Sequence, residues 1–204
     1  LFLQEKWGKF RMASLIELLA VLLSSFGVNL IPFASPSNLL IASNFALILN
    51  VADPAALVVI GFLVALGAAL AKSTHYLVIF FVSEHLSEKQ RQRLDADALK
   101  VKRWAPLLLF VAAATPIPDE PVVIPLGLMK YNPVKFFLSF FFGKLSITVV
   151  GAFLGSWTKS TVSEWLSPEA MIASSIVLTV IVTVILLKAD VGKLAERLLK
   201  RKKG

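Results

Sequence analysis

Apolar residues fall in long blocks along this chain, with polar residues gathered between them. Residues 12–30 are apolar apart from Glu17, the serines and Asn29. That is enough for one bilayer crossing, at roughly 20 residues per helical span. The stretch lacks a small-residue cleavage site, so it reads as a span and not as a leader. Residues 31–50 are apolar but broken by Pro32 and Pro36, with Asn38, Asn44 and Asn50 among them. Residues 54–83 make a long span interrupted by Lys72 and His75. A second broken stretch, 104–130, has Pro116, Pro118 and Pro121 around Asp119 and Glu120, and a span with Lys144 follows over 133–157. A β-branched span over 170–187 is the last. Residues 1–11 read as an amphipathic interfacial segment. Residues 84–103 read as a charged loop whose helix starts near Ser87. Residues 188–204 form a basic tail.

Charge orients these blocks. Residues 1–11, 84–103, 130–135 and 188–204 hold all the basic residues except Lys72, Lys144 and Lys159. Basic loops stay on the cytoplasmic side, which predicts cytoplasmic N- and C-termini in the cell membrane. Residues 31–50 and 104–130 must then each leave and re-enter one face. Their central prolines suit such turns, although the same prolines would also fit simple kinks in core helices. The predicted fold is an all-α polytopic membrane protein. It is an inverted repeat of re-entrant hairpin plus transmembrane helix, 31–83 and 104–157, with additional N- and C-terminal transmembrane helices. Asp53-Pro54 and Asn132-Pro133 open the two long spans alike. Paired repeats with broken helices are a transporter architecture, with the substrate site near the midplane.

Composition agrees. Hydrophobic residues are 57% of the 204, charged residues 17%, and mean hydropathy is +0.78. A soluble domain is typically about 45–50% apolar and 25% charged. The net charge of +8 borders apolar blocks, which points to anionic headgroups and not to nucleic acid. Without cysteine there is no disulfide, zinc-thiolate or iron–sulfur site. No metal or cofactor is expected.

Four ionisable residues lie where hydrocarbon should be: Lys72, Asp119, Glu120 and Lys144. Each costs roughly 3 kcal/mol at the bilayer centre when unpaired, so such residues face the interior. Lys72 lies 18 residues after Pro54 and Lys144 lies 11 after Pro133. Two lysines are thus expected to converge on two carboxylates at the tip of the second hairpin. They suit a phosphate group, and a carboxylate suits a proton; a purely stabilising ion-pair cluster is the competing reading. Adjacent residues on an extended tip point apart, so Asp119 and Glu120 are expected to differ in role, with Glu120 open to water as one alternative. Tyr76, four residues after Lys72, is a candidate to hold its ammonium or the ligand. His75 reads as a hydrogen-bonded core histidine before a proton relay, and Asn29 and Asn38 as partners for backbone freed near the prolines. The phenylalanines at 136, 137, 140, 141 and 142 circle a helix. Gly67, Gly143, Gly151 and Gly155 suggest close helix contact.

No nucleotide-binding loop, zinc-protease helix or serine elbow is present, so no enzyme is expected. The hairpin and span residues resemble the DedA family, also called the VTT domain family. Its first hairpin carries a P-x-x-P-x-E-like turn, to which Pro32 and then Pro36-Ser37-Asn38 correspond. Its next span carries G-A-x-x-G-D-x-x-x-Y, matched by Gly67-Ala68, Ala71-Lys72 and Tyr76. Its second hairpin carries R-x-x-P-x-x-R, eight residues ahead of a glycine. Counting back from Gly127 sets Pro116 on the proline, Asp119 on the second arginine and Ala113 on the first. The likeness covers about residues 28–157. The family's acid is Lys72 here and its arginine is Asp119, an exchanged pair in a divergent member, so Asp119 or Glu120 takes the carboxylate's role.

The resemblance implies two opposed re-entrant hairpins that move lipids. The expected function is a membrane lipid transporter, flippase or scramblase for a phosphate-bearing lipid, with proton coupling through a carboxylate. The alternative is an ion-coupled transporter of a small soluble solute. A membrane lipid hydrolase and an assembly protein are weaker readings. Membrane lipids are the expected partners, and assembly as a homo-oligomer is left open.

Overall fold

The computed structural model describes residues 14–31, 36–85, 103–115 and 119–162, with 170, 173, 177 and 181 as single helical positions. Helix α1 is Leu15–Asn29, α2 is Asn38–Ile48, α3 is Pro54–Val82, α4 is Arg103–Ala114, α5 is Glu120–Leu128 and α6 is Pro133–Val162. Ser83–His85 adds a 3₁₀ turn to α3. No strand occurs among the described residues.

Local chemistry sets these boundaries. The Ser14 hydroxyl accepts from the Glu17 N–H at 3.2 Å, and the Glu17 carboxylate accepts from the Ser14 N–H at 2.7 Å. This capping box starts α1 and satisfies two donors a helix leaves open. The Asp53 carboxylate accepts from the Ala56 N–H at 2.9 Å ahead of Pro54. The Asn132 Oδ1 accepts from the Lys135 N–H at 3.0 Å ahead of Pro133.

The same succession of described helices occurs twice: a short helix, a shorter helix, and a long helix opened by proline. The two shorter helices end alike. Val51 N–H donates to Ala46 and Asn50 N–H to Leu47; Tyr131 N–H donates to Leu126 and Lys130 N–H to Gly127. Each is a Schellman closure, which needs a left-handed residue, ordinarily glycine. Asn50 has φ 55° and Lys130 φ 48°. That conformation costs a residue with a Cβ roughly 1–2 kcal/mol, and asparagine tolerates it best.

The long helices run antiparallel. Lys130 Nζ pairs with Glu84 at 3.0 Å at one end, and Lys159 donates to Asn50 Oδ1 at the other. Between them Thr148 Oγ1 donates to the Gly61 carbonyl at 2.8 Å. A Cβ on Gly61 would lie 2.8 Å from Val149 Cα. Helix α1 lies along α3, with Ser25 Oγ donating to Val64 at 2.8 Å and a Cβ on Gly67 only 2.7 Å from the Leu22 carbonyl. Helix α2 crosses to α6, where Cβ atoms on Gly151 and Gly155 would meet the Leu39 and Ser43 carbonyls at 2.3 and 2.4 Å. The second half mirrors this: α4 lies on α6 at Gly143, and α5 crosses to α3, where Gly127 meets Ile79.

Helices α3 and α6 are long and apolar enough to cross a membrane. Each rises about 44 Å at 1.5 Å per residue, close to a bilayer with its headgroups. Val58, Phe62, Leu70, Leu77 and Phe81 on α3, and Leu138, Phe142, Val150 and Leu154 on α6, are large apolar residues facing outward. An apolar face of that extent fits lipid and not water. Trp104 and Trp157, 58% and 63% exposed, stand near opposite ends, as interfacial tryptophans do.

The first block differs from its expected form in length and direction. Helix α1 has only 15 residues, a rise of about 22 Å, less than the roughly 30 Å hydrocarbon core. It is the first arm of the first broken pair, with α2 as the second. The two helices occupy Leu15–Asn29 and Asn38–Ile48, where the sequence pattern predicts a span over 12–30 and a broken stretch over 31–50. Its arms also diverge onto different long helices. In addition, α1 runs parallel to α3: Ser25 meets Val64, and the Leu30 carbonyl meets His75 farther along. Ser14 therefore lies at the Asn50–Lys159 end, opposite Lys130. The Ser87 helix start, the basic tail, and Pro32, Pro116 and Pro118 lie outside the described residues. So does the 170–187 span, apart from its single helical positions.

Candidate functional site

Helix α5 carries two carboxylates in its first turn. Asp119 is its N-cap and Glu120 its first residue. A helix N-terminus favours negative charge there. The Asp119 carboxylate makes no cap bond of its own, which leaves it for a partner elsewhere. The backbone at Asp119 is helical, φ −89° and ψ −16°, so the two side chains diverge by the helical screw and not by an extended tip.

Each carboxylate finds a different lysine. Glu120 Oε1 lies 2.5 Å from Lys72 Nζ on α3. The Asp119 carboxylate lies 3.1 and 3.3 Å from Lys144 Nζ on α6. All four residues are at most 5% exposed. The expected convergence of Lys72, Lys144, Asp119 and Glu120 is therefore observed, and Glu120 is buried, not open to water. Lys72 lies ten residues from the end of α3 and Lys144 eleven from the start of α6. These offsets put them about 15 and 17 Å from the Lys130 end.

The surroundings fix Lys144 closely. Its ammonium lies 5.1 Å from the Phe140 ring centroid, one turn earlier, a favourable cation–π distance. Thr148, one turn later, ties α6 to α3. A Cβ on Gly143 would sit 2.5 Å from the Phe110 carbonyl, so α4 packs on α6 at backbone distance one residue before Lys144.

The first half carries no charge at the matching place. Asn38, first residue of α2, exchanges amide hydrogen bonds with Asn29 at 2.9 and 3.0 Å, and Asn29 also donates to the Ser25 carbonyl at 2.8 Å. Asn38 is thus a closed amide partner. Pro36 is half-buried just before it.

Tyr76 is not at the charges. Its hydroxyl donates to the Tyr131 carbonyl and its ring stacks on Phe136 at 4.3 Å. It bolts α3 to the α5–α6 turn and leaves the candidate binding set. Tyr76→Phe will therefore lower stability by about 1–3 kcal/mol, the cost of a buried carbonyl left unsatisfied, and leave the ion pairs intact. Thermal unfolding of the purified variant measures the first. Any transport activity, unchanged, checks the second. His75 Nε2 lies 2.9 Å from the Leu30 carbonyl, a core contact. Phe136, Phe140 and Phe141 are buried while Phe142 is exposed, as expected of rings circling a helix.

Sequence reasoning missed Thr148, Ser25 and Gly61. A hydroxyl one turn after Lys144 was the available signal for Thr148; the others carry none that separates them from ordinary span residues.

A family model described as the VTT domain matches residues 35–157. The matched segment runs from just before α2 nearly to the end of α6, and holds all four buried charges. Comparisons with curated proteins and with solved structures gave no match. The matched region is more than half of the chain and contains α2 to α5 and most of α6; the chain belongs to the VTT domain family, the DedA family.

Proposed function

We propose that this protein moves a phosphate-bearing lipid across the membrane through the Lys72–Glu120 and Lys144–Asp119 cluster. The observation that carries this reading is the placement of both carboxylates on one nine-residue helix while their lysines sit on two separate long helices. A small shift of α5 separates both pairs at once. Two buried ammonium groups are then free at mid-depth, where a phosphate with about two negative charges replaces the carboxylates. Lysine acts as a point charge toward phosphate. A proton taken by a carboxylate keeps the emptied partner neutral, and the longer Asp119 contact is the easier to open.

Further support comes from the family, which is associated with membrane transport and lipid flippase roles. The α1–α2 pair opens toward the Asn50–Lys159 end and α4–α5 toward the Lys130 end, as in an inverted repeat of re-entrant hairpins. Non-helical backbone at that depth is tolerated where it lines a cavity or is buried in protein. The basic loops set the Lys130 end on the cytoplasmic side. The lipid's chains stay in the bilayer while its headgroup passes.

Liposomes with a fluorescent phosphate lipid in both leaflets and an outer-leaflet quencher test this. Protein-containing liposomes will lose fluorescence beyond the outer half, faster under a pH gradient. Asp119→Asn, which holds no titratable proton, will lose the gradient effect. Fluorescence loss no greater than in empty liposomes, for every phosphate lipid tried, would overturn the reading and favour a soluble solute.

A further inference from the structure

At the Lys130 end, some 15 Å from the buried pairs, lies an open recess of about 490 Å³ lined by Arg103, Pro106, Lys130, Tyr131, Asn132 and Lys135. That volume lies within the roughly 300–1,000 Å³ of small-molecule sites. Three cations from three elements meet here: the start of α4, the turn after α5, and the start of α6. Only Lys130 has a carboxylate partner among the described residues, Glu84, so two positive charges remain. The N-terminal end of α6 adds the favourable end of its dipole.

The backbone supplies a second observation. Lys130 occupies a left-handed position, φ 48°, that a glycine would fill without strain. The matching position in the other half holds Asn50, a residue suited to it. Strain kept for one side chain marks a use for that side chain. Lys130 Nζ stands 5.3 Å from the Phe80 ring centroid and reaches Glu84 in an exposed pair, and exposed pairs contribute little.

We propose that this recess is a binding site for a phosphate monoester group, distinct from the buried cluster. A monoester carries about 1.5 to 2 negative charges at pH 7, which matches the two unneutralised cations; a carboxylate would match one. Arg103 offers a planar fork for two phosphate oxygens, and Lys135 and Lys130 add point charges. The Asn132 amide lies in the same wall. Exposed Trp104, Leu107 and Leu108 on α4 set the recess beside lipid, so the group arrives either on a lipid or free in solution.

Binding, not transport, tests this site. The full chain is held in phosphatidylcholine nanodiscs and titrated with inorganic phosphate, or with phosphatidic acid introduced into the discs, and its melting temperature is followed. A saturable rise with phosphatidic acid alone identifies the lipid as the source; a rise with inorganic phosphate identifies the free ion. In either arm Lys135→Gln and Arg103→Gln will each weaken binding about tenfold, while Lys159→Gln at the far end changes it less than twofold. Lys130→Gly relieves the backbone, so its unliganded melting temperature will not fall although its binding weakens. No saturable rise with either probe overturns the proposal. So does a rise that Arg103→Gln and Lys135→Gln leave unchanged. Loss of transport in Lys72 variants with this binding intact would separate the two sites.

Discussion

Lys72→Met will abolish lipid movement and destabilise the protein by about 3–5 kcal/mol, the cost of stranding one member of a buried ion pair. Glu120 is 5% exposed and its carboxylate faces the missing ammonium at 2.5 Å. Instability alone would also stop transport, so the double variant Lys72→Met, Glu120→Met decides between the two causes. Two apolar side chains of similar volume are often as stable as the pair they replace, or more so. The double variant is therefore expected to melt near the wild-type temperature and still fail to move lipid. Recovered stability with recovered movement would reduce the pair to a structural one.

The second large effect concerns a glycine. Gly151→Leu will prevent α2 from seating on α6 and abolish the folded, monodisperse species in detergent. A Cβ at 151 would lie 2.3 Å from the Leu39 carbonyl oxygen, and that oxygen belongs to helix backbone that cannot rotate away. Gly151→Ala alone should cost about 1–3 kcal/mol, as overpacking does. Gly27 is the control: nothing lies within 4 Å of its Cβ position, so Gly27→Ala will be neutral or stabilising by up to about 1 kcal/mol. Size-exclusion profiles and melting curves of the three variants distinguish them. A well-folded Gly151→Leu protein would disprove the close α2–α6 approach.

Much of this architecture was legible before the structure. Proline after Asp53 and Asn132 marks the starts of both long helices, because it fits the first helical position better than later ones. Charge in an apolar block marks Lys72, Lys144, Asp119 and Glu120, because burial demands partners. Which carboxylate meets which lysine was not legible; it depends on the roughly 100° between successive residues of α5, and the extended tip expected there hides it. The length of α1 was legible in principle. Ser14 and Glu17 form an S-x-x-E box, but inside a continuous apolar block Glu17 reads as an exception. The direction of α1 rests on tertiary contacts with Val64 and His75, which no local pattern carries. Tyr76 misled through spacing: it shares a face with Lys72, yet its hydroxyl finds a carbonyl freed by the turn at Tyr131.

The crossing of α2 onto α6 also dictates an order of events at the ribosome. Ser43 meets Gly155, more than a hundred residues further along the chain. At about 5–20 residues per second of synthesis, α2 waits several seconds or longer for the surface that will cover it. Helix α1 can seat on α3 while the rest is still being made, but α2 cannot finish until α6 emerges. The first half is thus an unfinished object during translation, with an apolar, half-length helix that neither spans the bilayer nor has yet found its neighbour. Whatever shelters nascent helices at the membrane must hold that one until α6 is out.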